Sequence, residues 1–149
     1  MAKSKGQKKG SKGTSLIKEI SPNKNITKEG IYESVDHPLF SFKYLQDNSI
    51  SRCRDSRFFF NFLMRLKKLS ELGWDEIRTS SRHGFGMEKI PRSNIIPQLQ
   101  YPTFITPEVK EFSVFRSSGS NTGLVGFQMG KIFYIFYIEA SHGDIYSHN

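Results

Sequence analysis

The apolar run at residues 131–140, which reads KIFYIFYIEA, constrains the fold more than any other part of the chain. Its large side chains fall on both faces of an extended strand, so other parts of the chain must cover both faces. Two shorter strand candidates, residues 112–116 and 122–129, precede it and are separated by short turn-like segments. The three runs predict an antiparallel meander whose last strand lies inside the sheet.

A long amphipathic helix is predicted over residues 52–72, with Asp55 near its start and Gly73 at its end. Its apolar side chains recur at three- and four-residue spacing: Phe58, Phe59, Phe62, Leu63, Leu66 and Leu69. A first strand is expected at residues 39–45 and a further helical turn at residues 74–78. The predicted fold class is α+β, with a small antiparallel sheet of about four strands packed against one long amphipathic helix.

The composition predicts three regions and limits the function classes. Five lysines lie in residues 1–13, which we expect to form a flexible basic arm, and residues 14–36 are expected to be a linker or covering segment. Residues 37–149 are predicted to form a single domain. The net charge of +8 resides largely in the arm, so it does not by itself establish a nucleic-acid-binding face.

A single cysteine, Cys53, excludes an internal disulfide and a Cys-rich zinc site. The sequence shows neither the apolar core of a secretory signal nor a run long enough to span a membrane. We therefore expect a cytoplasmic protein that needs no membrane partner.

The candidate catalytic residues follow the last strand. His142, Tyr146 and His148 lie there, and imidazole both accepts and donates a proton near neutral pH. One histidine would take the proton of a ribose 2′-hydroxyl and the other would protonate the departing 5′-oxygen. Tyr146 would bind the phosphate or serve as the acid, Asp144 would orient an imidazole, and Arg116 would stabilise negative charge in the transition state. A polar tail with two solvated histidines remains an open alternative.

This chemistry requires no cofactor, and none is predicted. A metal site formed by His142, Asp144 and His148 is the weaker interpretation, because that set is nonspecific at this spacing and no further acidic cluster assists it.

A second group of cations is predicted to bind nucleic acid. On a helical wheel, one flank of the long helix carries several of them, and the loop at residues 79–91 is rich in hydrogen-bond donors. The candidate nucleic-acid-binding residues are Arg54, Arg57, Arg65, Lys68, Arg82 and His83. A helix flank that is merely solvated is the alternative.

The order of elements resembles the RelE/ParE-type toxin superfamily of small basic ribosome-dependent ribonucleases and gyrase inhibitors. The segments that carry the resemblance read FSVFR at residues 112–116, LVGF at 124–127 and FYIFYIEASHGDIY at 133–146. The resemblance implies a RelE-like endoribonuclease of a toxin–antitoxin system, with RNA, the ribosome and an antitoxin protein as partners. The positions matching the superfamily's usual site residues are Arg116, His142, Tyr146 and His148.

The chain departs from this pattern in the proline-containing insertion at residues 92–107 and in the N-terminal arm. Two alternatives from other classes stay open. One is a non-catalytic protein that binds a nucleic acid or an acidic protein. The other is an accessory protein of a phage or mobile element that inhibits a host enzyme by surface contact.

Overall fold

The computed structural model describes residues 28–51, 53–96, 101–118 and 121–148. The chain divides into two compact units, Met1–Glu33 and Ser34–Asn149. The predicted arm at residues 1–13 lies outside the described residues, as does most of the segment 14–36. Helix α1, Lys28–Ser34, covers the boundary between the two units in sequence.

The second unit contains a five-stranded mixed sheet in the order β1-β5-β4-β3-β2. Strand β1 runs parallel to β5, and the other neighbouring strands are antiparallel. The strands are β1 (Leu39–Ser41), β2 (Glu88–Pro91), β3 (Glu111–Arg116), β4 (Gly123–Met129) and β5 (Ile132–Ile138). The remaining helices are α2 (Asp47–Ser51), α3 (Ser56–Ser70) and α4 (Trp74–Thr79), and a 3-10 turn covers Arg92–Asn94.

The α+β class is confirmed, whereas the finer prediction of four antiparallel strands and one long helix is only partly correct. The loop predicted at residues 79–91 contains β2, which pairs with β3. The first strand ends at Ser41, because the chain then turns and Leu45 N donates to Phe42 O at 3.0 Å. The parallel pairing of β1 with β5 was not predicted, because no local sequence signal specifies it. Helices α1 and α2 are present in addition to α3 and α4, which correspond to the two predicted helices.

Helix α3 begins later than predicted because Asp55 is its N-cap. The Asp55 Oδ1 atom accepts a hydrogen bond from Arg57 N at 2.9 Å, which satisfies a donor of the first turn. Phe62, Leu66 and Leu69 form the buried face of the helix, as their spacing predicted. With α4 they cover one face of the sheet, and this first core cluster includes Phe62, Leu66, Leu69, Trp74, Ile77, Phe115, Leu124, Phe133, Ile135 and Ile138.

The opposite face of the sheet is covered by the segment after β2 and by the end of the chain. This second core cluster consists of Ile90, Ile105, Phe112, Val114, Val125, Phe136, Tyr137, Ile145 and Tyr146. The sheet is thus buried on both sides, as the apolar run at residues 131–140 required.

A β-bulge in β5 changes which face its last residues occupy. Val125 pairs with Tyr137 and Gly126 pairs with Ile135, so Phe136 is an extra residue opposite β4. Phe136 and Tyr137 consequently both belong to the second core cluster. After Tyr137, side chains again alternate between the two faces of the sheet, but each lies on the face opposite to the one it would occupy without the bulge. The shift places Glu139, the residue after β5, on the same face as the end of the chain.

Within the described ranges, no helix has both the length and the apolar character needed to cross a bilayer.

Candidate active site

The end of the chain is paired with the segment after β2. Ile96 N donates to Ile145 O at 2.7 Å, and Ser147 N donates to Asn94 O at 3.0 Å. Ile145 and Tyr146 are 2% and 4% exposed. Residues 145–147 are therefore part of the folded core, and the alternative of a merely solvated tail does not apply to them.

This tail closes a cleft of about 420 Å³ over the ends of β2, β3 and β4. The cleft brings together the predicted catalytic residues and two of the predicted nucleic-acid-binding residues. Those lining residues are Arg82, His83, Arg116, His142, Tyr146 and His148.

Glu139, which the sequence reasoning missed, is a fully buried carboxylate that contacts the cleft residue His148. Its Oε1 accepts from Gly123 N at 3.1 Å, and its Oε2 accepts from Gly143 N at 3.1 Å and Ile145 N at 3.3 Å. His148 Nε2 lies 2.9 Å from Oε1 and 3.1 Å from Oε2. A carboxylate only accepts, so His148 Nε2 carries the proton and Nδ1 carries the lone pair.

Three rings are stacked beside this carboxylate. The His142 and His148 ring centroids are 3.7 Å apart, and those of Tyr146 and His148 are 4.0 Å apart. His142 is exposed at the mouth of the cleft, whereas the His148 side chain is 19% exposed. His142 Nδ1 lies 3.2 Å from the Asn121 carbonyl oxygen, so Nδ1 donates and Nε2 carries the lone pair of the neutral ring. Each imidazole is thus held through one nitrogen and keeps the other for chemistry.

Arg116 is held in the cleft by three hydrogen bonds. Its Nη1 donates to Asn121 Oδ1 at 2.9 Å, its Nη2 donates to His83 Nδ1 at 2.7 Å, and its Nε donates to Arg82 O at 3.3 Å. These contacts use three of the five N–H groups of the guanidinium, which leaves two to bind an anion. Asn121 contacts both Arg116 and His142, and so links the cation to the imidazoles.

The Tyr146 phenol stays protonated near neutral pH. Burial, followed by the negative charges of Glu139 and Glu88, raises its pKa well above the usual range. The ring packs flat on β4, where a Cβ at Gly123 would lie 2.9 Å from Tyr146 Cε1. Tyr146 is therefore suited to donate a hydrogen bond and to support the His148 ring.

No protein-family model, curated protein or solved structure matches this chain.

Glu139, His142 and His148 place one potential metal-ligand atom each within 4.8 Å of one another. Both Glu139 oxygens already accept hydrogen bonds from backbone N–H groups and from His148 Nε2. Asp144, which the sequence analysis proposed as the orienting carboxylate, instead accepts from Ser141 N at 3.1 Å within the turn. The arrangement fits a carboxylate that orients an imidazole better than it fits a metal centre.

The cations predicted on the long helix do not line the cleft; Arg54 also lies before the start of α3. Arg65 and Lys68 line a separate open groove, and Arg54 and Arg57 are exposed and line neither site. The one signal that could have identified Glu139 is its position as a lone acid in the apolar run 131–140, nine residues before His148.

Proposed function

We propose that this protein is a metal-independent endoribonuclease that cleaves an RNA phosphodiester in the cleft. The observation that carries the proposal is the pairing of His148 with the buried Glu139, with the His148 ring against His142 in the same cleft as Arg116. An acid, a base and a fixed cation around one site are what transesterification of RNA requires.

In the proposed step, His148 Nδ1 removes the proton from a ribose 2′-hydroxyl, and the 2′-oxygen attacks the adjacent phosphorus. The bond from phosphorus to the 5′-oxygen breaks, and protonated His142 gives its proton to that oxygen. The products are a 2′,3′-cyclic phosphate and a 5′-hydroxyl. We assign the base to His148 because the Glu139 carboxylate stabilises the positive charge that the ring gains.

The other groups of the cleft bind the phosphate. Arg116 presents its two remaining N–H groups to the oxygens that gain charge as the 2′-oxygen attacks. His83 Nδ1 accepts from Arg116, so its Nε2 carries a proton and donates to the same phosphate. Tyr146 adds a phenolic donor. DNA lacks the 2′-hydroxyl, and we therefore propose RNA as the substrate.

The biological setting that we propose comes from the resemblance to RelE/ParE-type toxins. It is cleavage of RNA on or near the ribosome, with a cognate antitoxin protein that neutralises the activity.

A labelled RNA oligonucleotide tests the proposal. The variants His148→Gln and His142→Gln should each lower kcat by about 100-fold or more, which is the usual contribution of one acid or base. Glutamine at position 148 can still donate to Glu139, so the fold is retained. His37→Gln, outside the cleft, is the matched control and should keep full activity.

The products should carry a 2′,3′-cyclic phosphate, EDTA should leave the rate unchanged, and RNA methylated at the 2′-oxygen should not be cut. A double variant of His142 and His148 that cleaves as fast as the wild type would overturn the proposal. Tight RNA binding by a wild-type protein that never cleaves would favour the non-catalytic binding protein instead.

A further inference from the structure

A second cationic site lies beside the cleft, between α3 and the loop that precedes β2. We call it the α3 groove; it has a volume of about 460 Å³. Its lining residues are Asn61, Met64, Arg65, Lys68 and Phe85. The lining contains two cations and no carboxylate, so the groove is suited to an anion.

Arg65 is held rigidly at the floor of this groove. Its guanidinium carbon lies 4.3 Å from the centroid of the Phe85 ring, and its Nη2 donates to the Gly84 carbonyl oxygen. Its Nε is buried and has no hydrogen-bond partner among the described residues. The contacts with Phe85 and Gly84 therefore keep the guanidinium in place, and its charge is not neutralised by an acidic side chain among the described residues that line the groove.

Three successive loop residues connect the α3 groove to the cleft. Arg116 donates to the Arg82 carbonyl oxygen and to His83 Nδ1, and Arg65 donates to the carbonyl oxygen of the next residue, Gly84. The two guanidiniums therefore bind the same three-residue segment. Burial, and after it the like charge of Arg116, lowers the pKa of Arg65.

Two neighbouring cations without a carboxylate partner favour an anion that bridges their sites. In the part of the chain that the structure describes, neither Arg65 nor Arg116 forms an ion pair with an acidic side chain. A nucleic-acid strand carries regularly spaced phosphates, and a phosphate in the cleft brings its neighbour toward the adjoining groove.

We propose that the α3 groove binds the phosphate next to the scissile one, so that single-stranded RNA runs from the cleft over residues 82–84 to α3. This inference rests on the proposed function, because it takes the cleft as the site of the scissile phosphate. It deepens that function by making the substrate an extended strand that occupies at least two phosphate sites. A dinucleotide would fill only the cleft.

Lys68→Ala tests the groove, because Lys68 is exposed and its loss does not threaten the fold. Lys67→Ala is the matched control: Lys67 is the next residue of α3, pairs with Glu71 and does not line the groove. For a ten-nucleotide RNA, Lys68→Ala should raise KM about threefold to tenfold with little change in kcat, as expected for one phosphate contact. For a dinucleotide, neither variant should change kcat/KM.

Binding is measured separately with an uncleavable, 2′-O-methylated ten-mer. Lys68→Ala and Arg65→Ala should each reduce the slope of log affinity against log salt concentration by about 0.7, the value for one single-strand phosphate contact. Lys67→Ala should leave that slope unchanged.

The outcomes separate this proposal from the proposed function. If the wild type cleaves no RNA but Lys68→Ala still weakens binding of the ten-mer, the cleavage proposal fails and the α3 groove is retained only as an RNA-binding site. If the wild type cleaves and neither Lys68→Ala nor Arg65→Ala changes KM or the salt slope, the groove proposal is overturned. Tighter binding of polyglutamate than of RNA at the groove would also overturn it, in favour of an acidic protein partner.

Discussion

Replacing Glu139 with Gln should strongly destabilise the protein, although the two side chains have nearly the same shape. The carboxylate accepts from the backbone N–H groups of Gly123, Gly143 and Ile145 and from His148 Nε2. The NH₂ group of a glutamine faces two of these donors in either orientation of the amide. Each buried donor that loses its acceptor costs about 1–3 kcal/mol, so we expect a total loss of about 4 kcal/mol.

The single tryptophan makes the measurement direct. Trp74 is 5% exposed in the first core cluster, and its fluorescence reports unfolding in urea. With an m value of about 2 kcal/mol/M, a loss of about 4 kcal/mol lowers the midpoint by about 2 M urea. That is a large part of the roughly 5–15 kcal/mol that stabilises a typical domain. Cleavage should fall as well, because His148 loses the acceptor that fixes its Nε2 proton.

Glu71→Gln is the matched control. Glu71 pairs with Lys67 on the surface, and removing an exposed ion pair costs about 0–1 kcal/mol. A midpoint for Glu139→Gln that differs from wild type no more than the control does would refute the role given to Glu139. Full cleavage activity in the same variant would refute its role in orienting His148.

Three further predictions concern Tyr137, Tyr146 and Gly123. Tyr137→Phe should raise the free energy of unfolding by about 1 kcal/mol in urea titrations, because the buried hydroxyl has no hydrogen-bond partner among the described residues; a loss of stability would contradict this. Burial raises the pKa of Tyr101, Tyr137 and Tyr146 above the ordinary 10.0, so ultraviolet titration should show three phenols that stay protonated when exposed tyrosines ionise. Because only the unfolded state releases those protons near pH 10, stability should fall as the pH rises above 10, and Tyr146→Phe should reduce that fall. Gly123→Ala should cost about 1–3 kcal/mol and reduce cleavage, because the new Cβ would lie 2.9 Å from both Tyr146 and Val114; wild-type melting and activity would exclude that clash.

The parts of the fold that the sequence could predict are those fixed by local periodicity. The buried face of α3 and the pairing of β3, β4 and β5 follow from apolar spacing and short connections. Strand β1 pairs in parallel with β5 across ninety residues of intervening chain, and no local pattern specifies such a partner. Strand β2 could not be predicted from an apolar pattern, because only Ile90 of its four residues is buried.

The same distinction applies to the candidate site. The residue types near the end of the chain pointed to His142, Tyr146 and His148, and the structure places all three in one cleft with Arg116. The position of Glu139 beside these residues could not be predicted from the alternation of side chains along β5. A regular period of two from Ile135 would place residue 139 on the face of the sheet that α3 covers. The bulge that reverses this phase depends on how two strands pair, which is a property of the sheet.

Because of that bulge, Glu139 also affects how β5 aligns with β4. If β5 paired with β4 in a regular register without the bulge, the Glu139 carboxylate would face the phenylalanines and leucines packed under α3. An unpaired charge there would cost several kcal/mol, far more than a regular ladder would return. Glu139 therefore disfavours the shifted pairing of β5 with β4 and helps to specify the native strand register.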